Sequence, residues 1–247
     1  MTLPLFLVDP ARVADVREGS DVLLEGDEGR HAAVVRRIAP GEQVMLADGA
    51  GLRLTCEVVT AGKADLGLRV LEVCRLAEPD PRFVLVQALA KAERDEQAVE
   101  AAAEYGVDEV VPWQAARSIV QWRGERGEKA RRKWQSAVVS ASKQSRRARV
   151  PVVGELLTTK SLVARVAGSA AAYVLHEDAT ESLAGQPLPD HGDLVVIVGP
   201  EGGITPDEIA ALEAAGARTV RLGDTVLRSS SAGPAALAVL SAANRWR

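Results

Sequence analysis

Leu194-Val195-Val196-Ile197-Val198-Gly199-Pro200-Glu201-Gly202-Gly203-Ile204-Thr205-Pro206-Asp207-Glu208 is the stretch that decides the fold. Five consecutive apolar residues make a strand covered on both faces. The helix that follows has a well-specified start. Thr205 is the N-cap, Pro206 takes the first helical position, and Glu208 stands three residues after the cap to complete a capping box. Strand, glycine turn and helix form a parallel α/β unit, and such sheets bind ligands at their carboxyl edge. The turn lacks GxxxxGK[ST], which excludes a P-loop, and lacks GxGxxG, which disfavours a dinucleotide site. Asp207 and Glu208 already occupy the positive end of the helix dipole, so a phosphate is not invited there. The loop either holds a ligand without a polyphosphate, through backbone contacts, or is a tight turn with no ligand.

A second glycine turn lies downstream, after a strand over Thr219–Leu222. It reads Leu222-Gly223-Asp224-Thr225-Val226-Leu227-Arg228-Ser229-Ser230-Ser231-Ala232. No His or Asp stands in a motif with the three serines. They read as caps for a final helix over Ala232–Arg245 rather than as nucleophiles. Arg228 either reaches a ligand or makes a surface ion pair. The two glycine loops are separated by one helix, Pro206–Ala215, and can shape one pocket.

Working outward, strands over Phe83–Leu89, Val107–Val111 (closed by Pro112) and Ala171–Leu175 alternate with helices over Arg94–Tyr105 and Lys129–Gln144. That alternation predicts an α/β part with a mainly parallel sheet flanked by helices. The first ~75 residues read differently: Gln43–Asp48, Leu52–Val59 and Leu66–Val73 are short, partly alternating runs with glycine turns, as in a small β-barrel or sandwich. A short helix over Gly29–Ile38 interrupts them. Glu78-Pro79-Asp80-Pro81 is a linker, because its prolines discourage both helix and central strand. The division expected is 1–76 and 82–247.

The 247 residues are 47% hydrophobic, 26% charged and only 3% aromatic, with a formal net charge of −4. This is globular composition with enough chain for a sizeable core, and it excludes collagen-like, low-complexity and wholly disordered classes. Mean charge points away from nucleic acid, but its distribution does not. Arg117–Arg149 holds 11 Lys or Arg against Glu125 and Glu128, while the rest of the chain carries 19 basic against 32 acidic residues. A net of +9 on 33 residues against −13 elsewhere is the footprint of a nucleic-acid surface. Trp122 and Trp134 lie among these charges, and Trp113 just ahead of them.

No apolar run reaches the ~18 residues of a membrane span, and the apolar patch near the start has no basic residues ahead of it. A cytoplasmic protein is expected. Cys56 and Cys74 read as two buried reduced thiols. His31, His176 and His191 lack zinc-ligand spacing, so no metal is expected.

The paired loops GPEGGITPDEI and LGDTVLRSSSA resemble the cofactor loops of SPOUT methyltransferases, and most closely those of the 16S rRNA (uracil-N3)-methyltransferase family. The likeness covers nearly the whole chain. His31–Gly51, with Arg36 and Arg37 and the Asp48-Gly49 turn, is similar to the family's PUA-like RNA-binding barrel. Lys91 and Arg94 match its K-x-x-R, Gln144, Ser145, Arg147 and Pro151 its Q-S-x-R…P, and His176 with Glu177 its H-x-E-like turn. Where the family commonly reads LGPRVLRTETA, this chain has Asp224, Thr225 and Ser230, and Ala101 replaces a basic residue common before the following turn.

The resemblance implies a trefoil-knotted, mainly parallel SPOUT sheet after a PUA-like β-barrel, a homodimer, and S-adenosylmethionine as cofactor. It implies methyl transfer to N3 of a uridine in 16S ribosomal RNA or the small subunit. Leu175, His176, Val198, Gly199, Glu201, Gly203, Leu222, Gly223, Val226 and Leu227 are the implied cofactor contacts. Arg228 would stabilise charge on the target base, and Glu201 would be a base, an orienter or a brace for its loop. His31, Arg36, Arg37, Lys91, Arg94, Arg117, Arg132, Lys143, Gln144, Arg146, Arg147 and Arg149 are the implied RNA contacts. Other readings are a ribose 2′-O-methyltransferase of the same fold, a non-catalytic RNA-binding assembly factor, and a small-molecule methyltransferase, which the basic strip disfavours.

Overall fold

The computed structural model describes residues 2–91 and 94–246. The chain divides into two compact units: Met1–Glu78 together with Ser142–Val150, and Pro79–Ala141 together with Pro151–Arg247.

The first unit is built on strands β1 (Leu5–Leu7), β2 (Asp21–Leu24), β3 (Gln43–Ala47), β4 (Leu52–Ala61) and β5 (Leu66–Arg75), with short helices α1 (Pro10–Val13) and α2 (Gly26–Arg30). Their order in the sheet is β1-β3-β4-β5-β2. Alternation in the sequence becomes alternation of faces: Leu52, Leu54, Cys56 and Val58 of β4 are buried, as are Leu66, Leu68 and Val70 of β5. The helix expected over Gly29–Ile38 starts earlier and changes pitch, because α2 runs directly into a π-helical turn over His31–Val35. Cys56 is buried, and burial pushes its thiol up to about 12. Cys74 is only half-buried, because β5 leaves the core at that end.

The unit is completed by a segment remote in sequence. Gly51 donates its N–H to the Ala148 carbonyl (3.1 Å) and Val150 donates to that of Gly49 (2.9 Å). The expected division placed Ser142–Val150 with the second part of the chain. These main-chain pairings join it to the first instead.

The second unit carries β6 (Arg82–Ala88), α3 (Arg94–Glu104), β7 (Glu109–Gln114), α4 (Gly124–Gln144, whose last turn belongs to the first unit), β8 (Val152–Val153), β9 (Leu157–Thr158), α5 (Thr159–Ala167), β10 (Ala171–Leu175), β11 (Asp193–Val198), α6 (Pro206–Ala214), β12 (Arg218–Val220) and α7 (Ser229–Asn244). The sheet order is β12-β10-β11-β6-β7-β8, with β9 also on β7, and every pairing is parallel. The continuous apolar runs were read correctly as strands covered on both faces: Phe83–Val86 and Leu194–Ile197 have 0% exposure. Each such side chain contributes about 1.5–3 kcal/mol by leaving water.

β7 does not stop at Pro112. On its outer side β8 pairs with Glu109 and Val110, and β9 with Trp113 and Gln114. Pro112 falls in the gap between them, where a missing N–H costs no ladder bond. At the amino edge of the sheet Arg82 and Arg165 bridge Glu109 and Asp193. That edge is closed by ion pairs, which leaves the carboxyl edge for a site.

Candidate active site at the carboxyl edge of the parallel sheet

Strands β10, β11 and β12 end together and deliver three loops to one cavity of about 760 Å³. The size suits a small-molecule ligand. Leu175 and His176 come from the end of β10, Val198, Gly199, Glu201 and Gly203 from the end of β11, and Leu222, Gly223, Val226, Leu227 and Arg228 from the loop after β12. Every residue implied as a cofactor contact therefore lines this cavity.

The Gly199 loop is held from several sides. The capping box is present as expected: Glu208 N–H donates to Thr205 Oγ1 (3.3 Å) and Thr205 N–H to Glu208 Oε2 (3.1 Å). Glu208 does more than cap. Its Oε1 accepts from the Ala116 N–H (2.9 Å) and the Thr159 hydroxyl (2.8 Å), and Trp113 Nε1 donates to the same hydroxyl oxygen. Burial alone would raise this carboxyl. The donors from Ala116, Thr205 and Thr159 outweigh it and hold the group below the usual carboxylate value.

Glu201 Oε1 accepts from Arg94 Nη1 (3.2 Å) and from the Lys91 N–H (3.3 Å), and Arg117 Nη1 donates to the Gly202 carbonyl (3.1 Å). Gly203 has φ +74, a left-handed conformation that glycine adopts without cost. At Gly199 a Cβ would lie 2.5 Å from Ile204 Cγ1, so the loop closes on its own apolar residue.

The Leu222 loop is open. Residues 223–228 are exposed, Val226 to 73%. Asp224 Oδ1 pairs with Arg221 Nη1 at 3.2 Å. Arg228, at the N-cap of α7, makes no side-chain hydrogen bond and no ion pair among the described residues. The expectation that Ser229–Ser231 cap this helix is overturned: α7 begins at Ser229, so the serines are inside its first turn, and Ser229 Oγ is buried without a partner. Between the two loops, His176 Nδ1 accepts from the Asp178 N–H (3.2 Å), which leaves the ring proton on Nε2.

The cavity fits S-adenosylmethionine. Leu175, Val198, Leu222 and Leu227 offer apolar walls for an adenine, the glycine-rich backbone offers main-chain polar groups at close range, and Glu177 and Asp178 offer carboxylates for cationic groups. Phosphate-binding features are absent from the α6 start, where Asp207 and Glu208 stand.

The residues implied as RNA contacts separate into engaged and free groups. In the second unit Arg94 and Arg117 line the cavity, and Lys91 and Arg132 are exposed. In the first unit Arg36, Arg37, Gln144 and Arg146 are exposed, His31 sets its ring against Phe6 (6.2 Å between centroids), and Arg147 is half-buried. Lys143 pairs with Glu28 at 2.5 Å. Arg149 is structural: its guanidinium lies over Gly51 and donates to the Leu76 carbonyl (2.8 Å), while its Nε is buried. The basic strip is also less bare than its sequence suggests, because Arg131 meets Glu155 and Lys133 meets Glu96, partners remote in the chain. Trp113 and Trp134 are core residues, and Trp122 packs edge-on against Trp134 at 5.1 Å. The tryptophans that lay among the charges in sequence are spent on packing.

Among the described residues no helix is long and apolar enough to cross a membrane, and no group of three or more His, Cys, Asp or Glu could hold a metal.

A parallel sheet with paired glycine loops at its carboxyl edge, in a chain that also carries a separate β-rich unit, belongs to an RNA methyltransferase. The model of the RNA methyltransferase domain matches residues 78–241, and that of the RNA methyltransferase PUA domain matches residues 24–70. The chain is 48% identical over 233 residues to ribosomal RNA small subunit methyltransferase E of Mycobacterium tuberculosis, covering 92% of this chain and 89% of the relative. It is 26% identical to that of Bacillus subtilis, over 92% and 91%. The chain belongs to the ribosomal RNA small subunit methyltransferase E family. Among solved structures, the Neisseria gonorrhoeae member bound to S-adenosylmethionine superposes with a TM-score of 0.84 at 26% identity, covering 98% of each chain. A Legionella pneumophila protein with the same cofactor bound gives 0.84 at 27%, covering 99% of each. The expected parallel α/β sheet flanked by helices and the PUA-like β unit stand.

Proposed function

We propose that this protein transfers a methyl group from S-adenosylmethionine to N3 of a uridine in the 16S RNA of the small ribosomal subunit. One observation carries the reading: an unpaired guanidinium, Arg228, stands at the rim of a cavity walled by the two glycine loops. The PUA-like first unit, the charge strip and the small-subunit names of the relatives support an RNA substrate.

When bound, the cofactor supplies an electrophilic methyl on a sulfonium. The remaining work falls to the chain. N3 carries a proton at neutral pH and lies on the Watson–Crick edge, so the uracil must be unpaired or flipped into the cavity mouth. There the loops align N3 with the methyl carbon. Arg228 stabilises the negative charge that develops on a uracil carbonyl as the N3 proton leaves to solvent. As the carbon–sulfur bond breaks, the carbon–N3 bond forms.

Glu201 acts as a brace, since its Oε1 is committed to Arg94 and the Lys91 N–H. The first unit, Met1–Glu78 with Ser142–Val150, serves RNA contact, and the second serves methyl transfer. A knotted C-terminal part, a homodimer and a cytoplasmic location belong to the same reading.

The test is to incubate the full chain and cofactor with protein-free 16S RNA and with isolated small subunits, then map methylated nucleosides by mass spectrometry. The expected product is 3-methyluridine at one position. A 2′-O-methyl product, or no incorporation into either substrate, overturns the proposal.

A further inference from the structure

Among the described residues only two that are not glycine have a positive φ, Arg37 (φ 55) and Arg146 (φ 57). Both belong to the first unit, and both end a helix. Arg146 follows α4. Its N–H donates to the Lys143 carbonyl (3.3 Å) and the Arg147 N–H to that of Ser142 (2.9 Å), the two bonds of a Schellman ending in which Arg146 takes the position usually given to glycine. Arg37 follows the π-helical turn. The Arg36 N–H donates to the His31 carbonyl (2.9 Å), the last bond of the π-turn, and the Ile38 N–H to that of Ala32 (3.2 Å), which closes the chain over Arg37. A Cβ in this conformation crowds the following carbonyl, and π-turns are rare and concentrate at functional sites. The first unit thus places arginine twice where glycine would relieve strain.

Nothing in the fold uses these side chains. Both are exposed, and neither makes a side-chain hydrogen bond or ion pair among the described residues. The two segments are equally one-sided in charge. Gly29–Ile38 contains three arginines and a histidine, and Ser142–Val150 contains four cations, with no Asp or Glu in either. They are held in one unit by Lys143 on Glu28 and by the pairing of Ala148 and Val150 with the Gly49–Gly51 turn. Strain that persists without an internal contact to repay it points to an external partner.

We infer that Arg37 and Arg146 are two fixed phosphate contacts for structured RNA. The left-handed backbone aims each guanidinium from a helix end, so less freedom is lost on binding than for a side chain on a mobile loop. The inference rests on the proposal of an RNA substrate and adds where, and by which backbone device, that RNA is gripped. Contacts of this kind fix register and orientation and carry no base preference.

The experiment compares the full chain with R37G, R146G, the double glycine variant and the lysine pair R37K/R146K. Filter binding to protein-free small-subunit RNA is measured from 50 to 200 mM salt, together with the thermal midpoint. Each glycine change is expected to weaken binding about 5-fold, to reduce the log–log salt slope by roughly 0.7–0.9, and to leave the thermal midpoint equal or higher. The lysine pair is expected to keep the slope. Unchanged affinity and slope in the double glycine variant overturn the inference while leaving the proposed function in place. Lost affinity with a lower thermal midpoint in the glycine and lysine variants alike overturns it in favour of a structural role. Normal binding to protein-free RNA with lost binding to assembled subunits overturns it in favour of a ribosomal-protein contact. A wild-type chain without salt-dependent RNA binding brings down the proposed function, and this inference with it.

Discussion

The Gly199 loop and the Leu222 loop leave the same edge of one sheet, carry glycines and line the same cavity, yet they are held in opposite ways. The first has its carboxylates, a carbonyl and its helix cap tied to Lys91 and Arg94, to Ala116 and Arg117 just after β7, and to Thr159 of α5. The second has an exposed Arg221–Asp224 pair and a guanidinium without a partner. A braced wall and an open rim are both made from glycine turns. What separates them is the number of buried polar partners each turn recruits.

The largest expected effect lies on the open side. Arg228→Ala should reduce single-turnover methylation about 10²–10³-fold, with the cofactor Kd by calorimetry changed less than about 3-fold. Undiminished turnover removes Arg228 from the chemistry and with it the division of labour between the loops.

Next comes the hub of the braced side. Glu208→Ala strands several buried donors and should cost about 2–3 kcal/mol, a fall of roughly 4–12 °C in Tm for a chain of this size, with weaker cofactor binding. Because the Glu208 carboxyl is held below its ordinary value of 4.5, its ionised form stabilises the native state. That contribution is complete above about pH 4.5 and is lost as pH falls through the lower folded value. The stability gap between wild type and Glu208→Gln, followed by denaturant titration, should be constant near pH 6 and shrink below 4.5. A gap that widens on acidification contradicts this.

A smaller effect is expected at Glu201. Loss of a general base costs about 10²–10⁴-fold, whereas loss of a brace at a partly exposed pair should cost Glu201→Gln under about 10-fold in kcat/KM. Smallest is Asp224→Ala. Its carboxyl is 90% exposed, so stability should change by less than about 0.5 kcal/mol and turnover by less than about 2-fold. A large loss there would show that the open loop is held after all.

The local grammar of the fold was legible. Strand Leu194–Val198, the Thr205–Glu208 capping box and the parallel alternation follow from short-range pattern, and the structure has them all. The two loops were also legible as walls of one cavity. What escaped the sequence depended on remote partners. Glu208 looked like a cap and is a junction for Ala116 and Thr159. Arg149 looked like an RNA contact and is anchored over Gly51. Ser229–Ser231 suit a cap by composition, but the helix begins with them. The left-handed arginines leave no trace in residue type, since glycine is the usual marker for that conformation.

The return of Ser142–Val150 to the first unit bears on the order in which the protein can be made. A ribosome that has released Glu78 has produced all five strands of that unit but not the segment that pairs with the Gly49–Gly51 turn. At 5–20 residues per second the missing piece follows roughly 4–14 s later. During that interval the nascent β unit exposes the main chain of a turn whose partner is not yet synthesised. The amino-terminal unit therefore matures only after much of the other unit's chain has emerged, and a fragment ending at Glu78 should fold less stably than the same residues in the full chain.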